Sequence, residues 1–173
     1  MTAHKPLSAA QAIIYGWLVV GTLDITDAIV VSIVRGSTPV RMLRGIASGL
    51  LGRASFDGGI PTAVLGFCIH FFIAFVVVST YYLASRRITV LTRYPLICGP
   101  IYGLLVYAVM YRVVMPLSAI GVTGQFVWPR SLNDLAIHAF GVGLPSAWFA
   151  SLSPPAETHG ALAASSDGAA THG

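Results

Sequence analysis

Charge is what this chain has least of. Only 9% of its 173 residues are Asp, Glu, Lys or Arg, against about 25% in ordinary soluble domains, while 55% are hydrophobic. A soluble monomer of this size would lack the polar surface to cover itself, so the expected solvent is a lipid bilayer and the expected class a multipass membrane protein. Cysteine is scarce too. Cys68 and Cys98 both lie in apolar runs and read as small buried hydrophobes, which argues against a disulfide framework or a cysteine metal site. The net charge of +4 comes from short clusters between apolar runs, a pattern that speaks against a nucleic-acid partner and for topology signals. No H-E-x-x-H, no cysteine pair at zinc spacing and no Walker A loop is present. No cofactor or metal is expected.

What is present is a set of four apolar runs, about Gln11 to Val34, Ile60 to Ala84, Leu96 to Pro116 and Leu132 to Ser151. About 20 helical residues cross a hydrocarbon core of about 30 Å. The expected fold is therefore all-α, a four-span transmembrane helical bundle over 11–152, with a short N-terminal segment 1–10 and a disordered tail over 153–173. The tail is rich in Pro, Ala, Gly, Ser and Thr without periodicity, and its His159 and His172 are too sparse for a metal tract. The first run is too long for a signal peptide and is interrupted by Asp24 and Asp27, so the N-terminus is expected to be retained. The fourth run is the weakest: Asn133 and Asp134 open it and Pro145 interrupts it, which makes it short, kinked or partly re-entrant. Trp17, Tyr81, Tyr82, Trp128 and Trp148 lie toward span ends, as interfacial aromatics do.

Between spans one and two, Leu43, Ile46, Ala47, Leu50, Leu51 and Ala54 recur at helical spacing, with Arg41, Arg44 and Ser48 on the other face. An interfacial amphipathic helix over about 39–55, arginines toward headgroups, is expected there. A re-entrant segment and an irregular loop are the alternatives. Gly45 and Gly49, and again Gly99 and Gly103, have the four-residue spacing of close helix contacts, the second pair followed by Tyr107 and Tyr111.

Ionisable groups within a bilayer are costly enough to be functional candidates by default. Asp24 and Asp27 sit near the middle of span one, three residues apart and so on one helix face. Such a pair can hold one exchangeable proton, or be neutralised by Arg112 and hydroxyls purely for packing. Counting about 1.5 Å per residue from the face where span one begins, Asp24 lies about 20 Å deep, Asp27 about 24 Å, His70 about 21 Å, Arg112 about 24 Å and His138 about 20 Å. All five fall in one layer. His70 and His138 are each open to a role as core histidine or proton carrier, and Arg112 to one as counter-ion or as a side chain snorkelling to the interface. The Asp24-x-x-Asp27 spacing is shared with intramembrane enzymes that hold a divalent ion over a lipid phosphate, but the downstream acidic cluster of a two-metal site is missing, so enzyme activity is disfavoured.

Orientation is nearly tied. Lys5, Arg86, Arg87 and Arg93 fall on one side, and Arg35, Arg41, Arg44, Arg53 and Arg130 on the other. Read together, the run from His70 to Phe75, Tyr81 or Tyr82, Pro95, Gly99, Gly103, Pro116, Pro129, His138 and Trp148 resemble the small uncharacterised bacterial inner-membrane proteins of the YagU type, over about residues 60–150. That resemblance implies a four-span inner-membrane protein with both termini cytoplasmic, no established biochemical activity and a loose link to acid resistance. The chain departs from it in its first span and in 39–55, so no role for Asp24 and Asp27 carries over. The expected function is proton-linked or small-solute handling through the Asp24, Asp27, His70, Arg112 and His138 layer. The rival is a structural or regulatory membrane protein whose polar layer only fixes helix register. The expected partner is the lipid bilayer, with a homo-oligomer as an open alternative: a two-repeat transporter of this length would need to dimerise, but no internal repeat is apparent in the sequence.

Overall fold

The computed structural model describes residues 6–121, 128 and 130–153. Lys5, the segment 122–127, Pro129 and the tail from 154 onward, with His159 and His172, lie outside the described residues. All secondary structure among those described is helical. Helix α1, Ala9–Val34, starts at a reciprocal cap in which the Gln11 N–H donates to Ser8 Oγ at 3.2 Å and the Ser8 N–H to Gln11 Oε1 at 2.9 Å. Helix α2, Pro39–Leu51, is capped by Thr38 and carries Pro39 at the first turn, where a missing N–H costs nothing. It stops at Gly52, whose φ of 62° ordinary side chains avoid. A 3-10 turn over Gly52–Phe56 leads to α3, Gly59–Ser85. The short α4, Val90–Arg93, precedes α5, Pro95–Leu117. The last helix, α6, runs unbroken over 130–151.

Among the described residues, three helices are long and apolar enough to cross a membrane: α1 with 26 residues, α3 with 27 and α5 with 23. The expected fourth span is helical but is not among them, because Asn133, Asp134 and His138 dilute the apolar content of its first half. Nor does α6 turn back on itself. It runs antiparallel to α5, Gly103 meeting His138 and Gly99 meeting Leu144. Both helices widen into π-helical turns, Met110–Val114 in α5 and Ile137–Gly143 in α6, and each widened turn ends two residues before a proline, Pro116 and Pro145. A proline lacks the N–H for the i−4 carbonyl and its ring collides with that carbonyl, so a wider turn upstream accommodates both defects.

The helices pack through small residues, as bilayer helices do when backbones approach closely. Ala12, Tyr81, Tyr82, Ala147 and Ala150 form one buried cluster, and Val20, Ala74, Val78 and Val142 another. A Cβ on Gly103 would overlap the His138 carbonyl oxygen, and one on Gly99 would stand 2.8 Å from Leu144 Cα. The expectation for Gly45 and Gly49 needs correction. A Cβ on Gly45 meets nothing within 4 Å and one on Gly49 only Ser118 Cβ at 3.8 Å; the close approach of α2 to α3 is made by Gly66, against the Leu43 carbonyl. The cause is helix rotation, which turns Ala47 and Ser48 inward and leaves Gly45 outside.

Two arginines tie the ends. Arg44 donates to the carbonyls of Phe56 at 2.8 Å and Gly59 at 3.0 Å, so it holds the turn between α2 and α3 instead of facing headgroups as expected. At the opposite end Arg86 donates to the carbonyls of Ala150, at 3.0 Å, and Ser153, and lies 4.4 Å from the Tyr82 ring centre. It thereby satisfies the C-terminal carbonyls of α6 and complements that helix's dipole. Tyr81 and Tyr82, expected at the interface, are buried, and Cys68, expected inside, is exposed on α3. The Leu7 N–H donates to the Leu152 carbonyl at 2.9 Å, so the start of α1 and the end of α6 lie at the same end of the bundle.

Candidate functional site

A glycine creates the site. On α1, Gly21 has no side chain where a Cβ would stand 2.7 Å from the Phe71 ring, and this lets α3 come close enough for the neighbouring imidazole to reach the α1 backbone. His70 Nε2 then lies 2.9 Å from the Gly21 carbonyl oxygen. A carbonyl only accepts, so Nε2 carries the hydrogen and donates. The other ring nitrogen, Nδ1, faces Asp24 Oδ2 at 3.9 Å, an ion-pair separation longer than a direct hydrogen bond. The Asp24 side chain is 28% exposed and that of His70 11%. Trp17 holds the same interface, its indole N–H donating to the Phe71 carbonyl at 2.7 Å.

One turn along α1, Asp27 Oδ2 accepts from the Asn133 amide at 2.9 Å, which joins α1 to α6. The next residue of α6, Asp134, accepts from the Tyr111 hydroxyl at 3.2 Å, joining α6 to α5. His138 Nδ1 donates to the Asp134 carbonyl at 2.7 Å, and its ring meets Tyr107 edge-on with centroids 5.5 Å apart. The polar groups thus link α3 to α1, α1 to α6 and α6 to α5.

The structure therefore brings Asp24 to His70 and places Asp27 and His138 on the neighbouring links. It does not bring Arg112 in: that side chain is exposed and, among the described residues, forms no ion pair with the aspartates. Tyr111, directly before it, is turned toward α6, which points the next side chain away. Asn133 and Tyr111 enter as partners that the sequence reading did not assign. For Asn133 a signal was available, because with Asp134 it opens an otherwise apolar run; Tyr111 carried only its four-residue spacing from Tyr107.

Among the described residues, no group of three or more His, Cys, Asp or Glu gathers as a metal would need. An apolar groove of about 380 Å³ lies between α3 and α5. Its polar neighbours Thr80 and Tyr102 both donate to backbone carbonyls, those of Val76 and Val77, so their hydroxyls keep only acceptor capacity for a solute. Searches of family models, curated proteins and solved structures find no match to the chain.

Proposed function

We propose that this chain is a small membrane protein that handles protons through the Asp24–His70 pair. The observation that carries the reading is the anchoring of Nε2 on the Gly21 carbonyl, which leaves Nδ1 and the Asp24 carboxylate as the places where a proton is gained or lost. With one proton the pair is neutral as imidazolium and carboxylate, or as imidazole and acid; without it the pair carries one negative charge. Asp27, Asn133, Asp134 and Tyr111 supply further hydrogen-bonding groups where α1 and α5 meet the start of α6. A proton is the cargo these groups support best, because the two ionisable side chains brought face to face are Asp24 and His70.

The same reading takes α6 as a fourth crossing. Its antiparallel run along α5 and the meeting of Leu7 with Leu152 support an even number of passes. Location in a bacterial inner membrane with the N-terminus cytoplasmic follows the family resemblance and is tested by a reporter fused after Ser151, which a periplasmic signal would refute. The structural alternative draws on one specific observation, that the Asn133–Asp27 bond ties α1 to α6 as a register device would. Proton flux into proteoliposomes under an imposed pH gradient separates the two. Proton handling predicts flux in wild type that Asp24→Asn and His70→Gln abolish while circular dichroism stays unchanged. Wild-type flux no greater than that of empty liposomes contradicts it.

A further inference from the structure

We propose that the α2 end of the bundle is a docking surface for anionic phospholipid headgroups, with the exposed guanidinium groups of Arg35, Arg41 and Arg53 as its phosphate contacts. The inference rests on the bilayer reading of α1, α3 and α5 and not on proton handling. Between Val34 and Gly59 the chain carries four arginines and a single acid, Asp57. The structure divides the arginines by task. Arg44 is used up on the Phe56 and Gly59 carbonyls, whereas Arg35, Arg41 and Arg53 are exposed.

Their depth follows from their neighbours. Arg35 directly follows α1, and Arg53 sits in the turn that delivers the chain to α3, so both lie where membrane-crossing helices end and headgroups begin. Arg41 stands in the first turn of α2, with Phe56 beneath it at 5.5 Å, which restrains its long stem. Nine residues further, half a turn out of phase on a helix, Leu50 is 64% exposed. One side of α2 therefore presents a cation while the opposite side presents an aliphatic chain. This is the arrangement of a helix lying in the interface, apolar side toward acyl chains. The planar guanidinium fork matches two phosphate oxygens at once, and because Asp57 is the single acid of the segment the charge complement is a net negative headgroup, not a zwitterionic one.

The test is native mass spectrometry of the full chain released from detergent that holds equimolar phosphatidylglycerol and phosphatidylcholine. Retention of phosphatidylglycerol over phosphatidylcholine is expected, falling about fivefold for each arginine replaced in Arg35→Gln, Arg41→Gln and Arg53→Gln. The pair Arg87→Gln with Arg93→Gln, at the opposite end, should keep the preference. Should the triple variant not fold, Arg41→Gln alone and wild type in about 1 M salt, where screening is nearly complete, give the same readout. Equal retention of both lipids by wild type, or a preference lost only with the Arg87 and Arg93 changes, overturns the proposal. Failure of wild type to float with liposomes would instead overturn the bilayer reading itself.

Discussion

At the scale of single residues, the site depends on one missing side chain. A methyl group at Gly21 would stand 2.7 Å from Phe71 Cε1 and 2.8 Å from Cδ1, closer than carbon atoms approach. Overpacking of this kind costs about 1 to 3 kcal/mol. Gly21→Ala should therefore lower the thermal midpoint in detergent and lengthen the His70 to Gly21 contact; a variant as stable as wild type would show that α3 does not press on α1 there. Arg112 makes the opposite case. Because its side chain is exposed and apart from the aspartates, Arg112→Gln should change proton flux by less than twofold, and a loss as large as that of Asp24→Asn would restore it as a counter-ion. Asp24, Asp27, His70 and His138 could be singled out in the sequence because charge within an apolar run is expensive. The carbonyl partners of the two histidines could not, since a carbonyl such as that of Gly21 leaves no mark in a sequence.

At the scale of elements, the informative features are the widened turns and the arginine ties. Pro145 accounts for the π-helical stretch Ile137–Gly143, which carries His138. Relaxation to regular α-helix would rotate the first half of α6 relative to the second, moving Asn133 off Asp27. Pro145→Ala is expected to slow amide exchange across 137–143 and to weaken the link between α1 and α6; unchanged exchange would mean that another contact holds the turn open. Arg86→Gln removes charge-assisted bonds to the end of α6, each worth about 1.5 to 3 kcal/mol, and should raise exchange near 150–153 while leaving α2 unaffected. The long helices could be located from the length of their apolar runs and α2 from its hydrophobic periodicity, but the widening could not: a proline announces a defect without saying whether the helix kinks, stops or expands. For the same reason the arginines of 39–55 were legible as a polar face, while the capture of Arg44 by two loop carbonyls depends on where the turn after α2 brings them.

For the whole molecule, the bundle is held by places where backbones touch. Gly103 against His138 and Gly99 against Leu144 leave no room for a side chain between α5 and α6. Gly99→Leu or Gly103→Leu should separate the two helices, lower stability in detergent and disrupt the Tyr111 to Asp134 bond, whereas unaffected expression and thermal stability would count against this contact. Composition alone settles the expected solvent, because 9% charge cannot coat a soluble surface. Which helices adjoin was less accessible. The Gly99 and Gly103 spacing identified a contact face without naming its partner, and at the same spacing Gly45 faced open space while Gly49 met only Ser118 at ordinary contact distance. Small residues permit close approach; the rotation that brings them to a neighbour is decided by the rest of the core.

On the proposed proton handling, His70 keeps its hydrogen on Nε2 and exchanges a proton at Nδ1 beside Asp24. Nitrogen-15 NMR of histidine-labelled protein in lipid bilayers, with His70 assigned by its loss in His70→Gln, reads this tautomer through a pH titration. The expected result is an Nε2–H that persists throughout, with an Nδ1 response that Asp24→Asn alters. A neutral His70 carrying its hydrogen on Nδ1, or an Nδ1 signal that Asp24→Asn leaves unchanged, would contradict the proton-handling proposal.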